Sequence, residues 1–329
     1  MSAAAPGLDW RSVLSPGVTA EVSVPASTGN VGPGYDSLGL ALEHRDEVRL
    51  SVLETGLEFE LEGEGSESVP RTEDHLLVRS VRSAWRAAGL EEQPGMRIVA
   101  RNRVPHGRGM GSSAACAVAG VVAANALLAP GHRLDEDAVL QICAGMEGHP
   151  DNVAPALHGG LTISWAEPGR WRTAPVEVRE QIVPVVAIPN YEVSTRLARS
   201  LLPETVDHRD AARNAGRAAL LVEAMTRHPQ HLLAATEDRL HQPFRAPAMP
   251  PSAALVAGLR ERGHAALISG AGPTVLVLAP SQDAAGEAEQ AIRELAAGAP
   301  GGSEHVTWRV LRLAVPRQGA TLIEHPHSI

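Results

Sequence analysis

The chain has 329 residues, of which 44% are hydrophobic and 20% charged, with a formal net charge of -9. That is material for two domains and ordinary for a globular protein, and the negative charge argues against partners such as nucleic acid or an acidic membrane surface. All 29 basic residues are arginine, which excludes a lysine phosphate clamp, a Schiff-base lysine and a lysine general base.

Residues 1–16 read as a loose arm without a basic-apolar-cleavage pattern. Residues 18–24 alternate apolar and polar side chains as a strand does. Residues 25–36, dense in Gly, Pro, Ser and Asn, make a structured turn. Strands follow at about 46–53 and 57–62. Over 74–88 the spacing of Leu77, Val78, Val81, Ala84 and Trp85 predicts a helix. A strand at 96–100 then delivers the chain into a glycine-rich loop.

In that loop Gly107, Gly109 and Gly111 come at every second position, so the backbone can approach a ligand closely. Ser112 and Ser113 open a run of small apolar residues that predicts a buried helix. The free N–H groups and positive dipole end of such a helix form an anion site, above all for phosphate. Taken alone, a plain tight turn accounts for the glycines equally well. The apolar run 114–129 is interrupted by Asn125 and too short to span a bilayer.

A second helix is expected over 134–148, with Asp135 and Glu136 near its start. It ends in Glu147-Gly-His-Pro-Asp-Asn152, a turn crowded with ligand-type side chains, where Asp151 is the expected N-cap of a segment 152–157. A strand at 161–165 precedes a break at 167–170, which divides the chain into domains 1–168 and 169–329. The second half shows a strand at 182–188 and helices near 208–227, 230–241 and 251–262. Strands at 264–268 and 274–278 flank a turn at 269–273, followed by a helix at 284–297 and a strand at 305–313. The fold class is α+β, with helices on one face of a mainly antiparallel sheet. Trp85 and Trp165 read as core. Cys116 and Cys143 read as buried thiols rather than a disulfide, which points to the cytoplasm.

Three turns resemble, in order and spacing, the motifs of the GHMP kinases, the small-molecule kinases named for galactose, homoserine, mevalonate and phosphomevalonate. The first is Pro25-Ala-Ser-Thr-Gly-Asn-Val-Gly-Pro-Gly-Tyr-Asp36. The second is the phosphate loop Pro105, His106, Gly107, Arg108, Gly109, Met110, Gly111, Ser112, Ser113 and Ala114. The third is Ser269-Gly-Ala-Gly-Pro-Thr274. Gly29 departs from the family, which usually has alanine or serine there, and the tail after Leu313 has no counterpart in the motifs. The resemblance implies a two-domain GHMP kinase fold, with a ribosomal-protein-S5-like first domain and a ferredoxin-like second one.

Within the family the wording of the first motif, of Glu147–Asn152, of the run Ser194-Thr195 to Arg199 and of Pro243-Phe-Arg245 is similar to that of its homoserine-phosphorylating members. This implies ATP and Mg²⁺, L-homoserine as substrate, and a homodimer. It also implies roles. The loop from Pro105 to Ala114 would cradle the triphosphate, and Ser113 with Glu147 would hold the metal. Asn152 would sit beside the reacting hydroxyl. Asn30 and Asp36 would hold the ammonium, Arg199 and Arg245 the carboxylate, with His149, Thr195 and Gly270 completing the site. The alternatives are a family member acting on another alcohol and a nucleotide-binding regulator without catalysis. Intact Ser113, Glu147 and Asn152 speak against the second.

Overall fold

The structure, a computed structural model, describes residues 8–297 and 306–324. Within them the strands are β1 (Thr19–Thr28), β2 (Leu38–Leu53), β3 (Leu57–Gly63), β4 (Gly95–Asn102), β5 (Leu161–Glu167), β6 (Arg170–Val176), β7 (Val183–Pro189), β8 (Ala266–Ile268), β9 (Val275–Ala279), β10 (Trp308–Arg312) and β11 (Thr321–Leu322). The helices are α1 (Leu76–Ala87), α2 (Ser112–Leu127), α3 (Glu136–Glu147), α4 (Val153–His158), α5 (Thr195–Ser200), α6 (His208–Thr226), α7 (Leu232–Ala235), α8 (Gln242–Arg245), α9 (Pro250–Glu261) and α10 (Gln282–Ala297).

The first sheet runs β11-β1-β2-β4-β3, with β5 joined to the start of β2 and β6 to β5. Its long strand β2 is bulged: Pro25 pairs with Arg45 but Ala26 with Leu42. The extra residues bend the strand where β1 runs into the first motif. Helix α2 is apolar on all sides and therefore buried, packing on β1 and β2 and against α1 and α3. Gly120 lets α1 approach, since a methyl group there would stand 2.6 Å from the Ser80 side chain. Trp85 is fully buried against it and donates its indole N–H to the Ala124 carbonyl at 3.2 Å.

The second sheet, β10-β7-β9-β8, is antiparallel throughout. One face packs on α9 and α10. Its other face joins the first sheet in a common cluster, where Ala26, Leu40, Val104 and Met110 meet Val186, Ile188, Leu276 and Leu221. The phosphate loop therefore lies against a core to which both sheets contribute.

Several expectations change. The break expected at 167–170 is a hairpin turn, with Glu167 opposite Arg170, and β6 and β11 continue the first sheet beyond residue 168. The N-terminal arm is docked from Leu8 onward: Trp10, Val13 and Leu14 are buried, while residues 1–7 lie outside the described range. Trp165 is 44% exposed, because it lies near the hairpin end of β5, past the buried Leu161 on the same face. The helix expected over 230–241 stops at Ala235. Asp238 then accepts the N–H groups of Leu240, His241 and Gln242, a local arrangement that competes with helix. The tail after Leu313 is a strap: the carbonyls of Ala314 and Pro316 accept from Glu43 N and Gly160 N, and β11 pairs with β1. Residue 305, expected at the start of a strand, lies outside the described residues.

Candidate active site

Gly107, Gly109 and Gly111 all take positive φ (64°, 74° and 69°), a conformation that favours glycine. Gly111 caps α2 with no side chain bonded to the helix's first N–H groups, so those groups remain available to an anion. A methyl group at Gly109 would fall on the Ser269 carbonyl oxygen, and one at Gly111 on the Ser27 hydroxyl. The three motifs are bonded to one another. Ser27 N donates to Met110 O (3.1 Å), Thr274 N to Arg108 O (3.2 Å) and Gly270 N to Gly29 O (3.2 Å), while Ser269 Oγ donates to Gly109 O (2.6 Å).

Asp46 anchors the approach to the loop, accepting from Arg103 N (2.6 Å) and Val104 N (2.9 Å) through one oxygen. Burial pushes its carboxyl up to about 6. The Arg108 guanidinium is engaged by protein groups through Nε and Nη1. It donates to Pro189 O (3.0 Å), His106 O (2.9 Å) and Glu192 (3.2 Å), bracing the loop against the end of β7. With no lysine in the chain, the cradle is a backbone one.

Glu147 closes α3, and Gly148 ends that helix in the left-handed conformation. Ser113, at the start of α2, donates its hydroxyl to Glu147 Oε1 at 2.6 Å. Burial raises the Glu147 carboxyl above its ordinary range, partly opposed by this bond. Two hard oxygens beside an anion cradle suit Mg²⁺, which keeps several waters. Among the described residues no cluster of three or more His, Cys, Asp or Glu forms a metal cage.

Asp151 does not act as the expected N-cap. Asn152 takes that position without a side-chain bond. The fully buried Asp151 carboxylate instead accepts from His149 Nδ1 (2.5 Å) and Asn30 N (2.9 Å). Burial alone would lower His149, but the contact with Asp151 outweighs it and raises the imidazole above its ordinary value. Asn152 Oδ1 accepts from the Ser27 hydroxyl at 3.2 Å. Gly29 now has a reason: a methyl group there would fall on Asp151 Oδ2 and stand 2.5 Å from Asn152 Nδ2.

Asn30 and Asp36 both hold φ at 52°, and Asn30 Oδ1 accepts from Asp36 N (3.0 Å). Arg199, on α5, donates to both Asp36 oxygens (2.8 and 3.3 Å) and to the Tyr35 hydroxyl (3.1 Å). Arg245 is 1% exposed, not one more solvated arginine. Its Nη1 donates to Gly270 O and His241 Nδ1, both at 3.2 Å, while its Nε is buried with no partner. The Tyr35 ring lies between the two guanidinium groups, 5.4 Å from Arg245 Cζ and 5.9 Å from Arg199 Cζ.

Asn30, Ser113, Glu147, His149, Asn152, Thr195, Arg199, Arg245 and Gly270 all line one cavity of about 310 Å³, whose wall is the loop from Gly107 to Ala114 with Pro105. Asp36 reaches it through Arg199. A second cavity of about 330 Å³ shares Gly107, Ser112 and Ser113 with the first. Its apolar wall includes Val48, Val69, Pro70 and Leu77, and its polar groups include Asp46, His75, Asn102 and His106. Cys116 lines it and is half-buried, in contrast to the fully buried Cys143. Sequence reasoning missed this second cavity, together with Tyr35 and His241. The spacing of His241 and Arg245, one helical turn apart, was a usable signal. Larger hollows of about 590 and 600 Å³ lie elsewhere, at residues 175–183 with 313–317 and on the open face of the first sheet. Neither touches the loop, so size does not pick the site.

Comparison with known proteins bears on the family and the fold. The model of the GHMP kinases N terminal domain matches residues 75–160, and that of the GHMP kinases C terminal matches residues 199–298. The chain is 52% identical to a homoserine kinase of Streptomyces coelicolor over 92% of its own length and 94% of that protein. It is 45% identical to a homoserine kinase of Clavibacter michiganensis over 95% and 96%. Among solved structures, the homoserine kinase of Cytophaga hutchinsonii superimposes with a TM-score of 0.82 at 26% identity, covering 93% of this chain and 97% of that one. A putative homoserine kinase of Listeria monocytogenes gives 0.72 at 28% identity, covering 93% and 100%.

Proposed function

The chain belongs to the GHMP kinases and has their two-domain fold, and from that premise we infer that it is a homoserine kinase. It transfers the γ-phosphate of ATP to the side-chain hydroxyl of L-homoserine, giving O-phospho-L-homoserine for threonine biosynthesis. Arg245 narrows the acceptor: a buried guanidinium whose Nε has no partner calls for a carboxylate on the substrate, which L-homoserine carries and galactose lacks.

The backbone N–H groups from Gly107 to Ala114 hold the triphosphate, and the second cavity is of a size and polarity to take the adenine. Ser113 and Glu147 would hold Mg²⁺, which supplies charge neutralisation on the phosphates. Arg245 and Arg199 bind the carboxylate of L-homoserine. Asn30 faces its ammonium, Asp36 acts on the site through the Arg199 guanidinium that both its oxygens hold, and His149, Thr195 and Gly270 lie around the substrate with Asn152 beside the hydroxyl. Phosphoryl transfer through a loose transition state asks mainly for alignment and charge stabilisation. No base is assigned: the chain has no lysine, and both oxygens of Asp151 are committed to His149 and Asn30. The two free thiols support a cytoplasmic setting, a homodimer is the assembly the family resemblance implies, and no described helix is long and apolar enough to cross a membrane.

The test is ADP release from Mg-ATP with L-homoserine, L-threonine, L-serine, mevalonate and galactose. L-homoserine should be turned over fastest, and Asn152→Ala should lower kcat about 100-fold, in the range of one lost transition-state contact. Faster turnover of another alcohol would overturn the acceptor assignment. ATP binding without any turnover would point to a regulator.

A further inference from the structure

We propose that His241 is a positioning residue of the acceptor site: it fixes the Arg245 guanidinium so that the Nε–Nη2 edge faces the substrate carboxylate. This rests on the carboxylate assignment made above.

His241 is fully buried, and its Nε2 lies 2.7 Å from the Gly32 carbonyl oxygen. A carbonyl can only accept, so Nε2 carries the proton, and Nδ1 of the neutral ring is left as an acceptor. Burial favours that neutral ring, against the pull of Asp238, whose Oδ2 stands 3.6 Å from Nε2. Nδ1 receives Arg245 Nη1 at 3.2 Å, and the same Nη1 donates to Gly270 O. Both hydrogens of Nη1 are therefore spent on the protein.

A guanidinium is planar with five donors in fixed directions. Anchoring Nη1 at two points sets the plane and leaves the Nε–Nη2 edge, which is the fork that takes a carboxylate in two parallel bonds. The unpartnered buried Nε lies on that edge. The Tyr35 ring adds a third restraint, 5.4 Å from Arg245 Cζ and 5.5 Å from the His241 ring. His241 thus links Gly32, in the first motif, to an arginine far along the chain.

Two amide variants separate the two bonds. An asparagine amide reaches the place of Nδ1 and still offers Arg245 an acceptor. A glutamine amide reaches the place of Nε2, keeps the donation to Gly32, and leaves Nη1 without its acceptor. His241→Gln should raise the KM for L-homoserine about tenfold, with kcat and the KM for ATP within about twofold, and His241→Asn should stay within about threefold of the parent. His241→Gln added to Arg245→Ala should raise KM no further than Arg245→Ala alone, because the two act through one guanidinium. Additive effects, or a glutamine milder than the asparagine, would overturn the proposal while leaving the carboxylate assignment intact. An unchanged KM in Arg245→Ala would overturn both.

Discussion

On its nucleotide side the site offers an anion the N–H groups of consecutive residues, with three glycines at positive φ and the bare start of α2. On its acceptor side it gathers side chains from four distant stretches, Asn30 with Asp36, His149, Arg199 and Arg245, and holds them in fixed hydrogen bonds. The first region depends on atoms that are missing and the second on atoms that are present. A backbone cradle works because nothing projects from Gly107, Gly109 or Gly111, whereas a side-chain pocket works through the direction in which each group is held. Adding a methyl group should therefore break one region, and truncation should break the other.

Gly109→Ala is expected to have the largest effect. It puts an L-residue at φ 74° and drives its methyl group onto the Ser269 carbonyl, a backbone atom that cannot swing aside. The loop must leave its position, and kcat/KM should fall at least about 1,000-fold with ATP binding lost, on the scale of removing a preorganised anion cradle. Gly145→Ala is the control. That glycine sits inside α3 with nothing within 4 Å of a new methyl group, so the change should be neutral or stabilise by up to about 1 kcal/mol. Calorimetric titration with ATP and a melting curve check both. Unimpaired ATP affinity in Gly109→Ala would break the comparison.

Truncation on the acceptor side should be selective. Arg245→Ala should raise the KM for L-homoserine about 100-fold, the worth of two charge-assisted bonds made by a buried fork, without changing the KM for ATP. Arg199 is about one-third exposed and already paired with Asp36, so solvent screens it. Arg199→Ala should cost about tenfold or less. Steady-state kinetics with each substrate varied in turn sharpens the contrast, and equal effects of the two arginines would mean that burial does not decide their strength.

The same division explains what the sequence made legible. The three turns, the buried α2 and the face of α1 were readable, because glycine spacing and apolar periodicity are local. The cavity-forming role of the loop followed from the same glycines. Arg245 could be placed in the site by its motif, but nothing local marks it as a buried arginine that lacks an acceptor for Nε. Its burial comes from Tyr35, His241 and the third motif meeting around it. His241 escaped notice although it stands one helical turn before Arg245, since its meaning depends on the Gly32 carbonyl. The helix expected at 230–241 gave way to the side chain of Asp238, and the break expected at 167–170 to cross-strand pairing between β5 and β6. Trp165 failed on position along the strand: it shares a face of β5 with Leu161 and Ile163, but the last three residues of β5, next to the hairpin turn, are all exposed.

Asp46 gives the finest test of whether the nucleotide side avoids side-chain charge. Its carboxyl is buried beneath the loop's approach, and its titration moves from an ordinary 3.8 to about 6. The folded state then holds the proton more tightly than the unfolded one, so stability is greater below about pH 4 and falls as pH rises through 4 to 6. The loss amounts to about 3 kcal/mol at 1.36 kcal/mol per pH unit. Asp46→Asn keeps an oxygen for Arg103 N and Val104 N but cannot titrate. Between pH 4 and 7 the parent should lose stability relative to this variant by about that amount, read from urea midpoints, while every group common to both proteins cancels. A difference that stayed flat across this range would mean that the Asp46 charge is compensated inside the fold. The loop would then be held by balanced side-chain charge, as Asp36 and Arg199 are, and the contrast between the two sides would be one of degree.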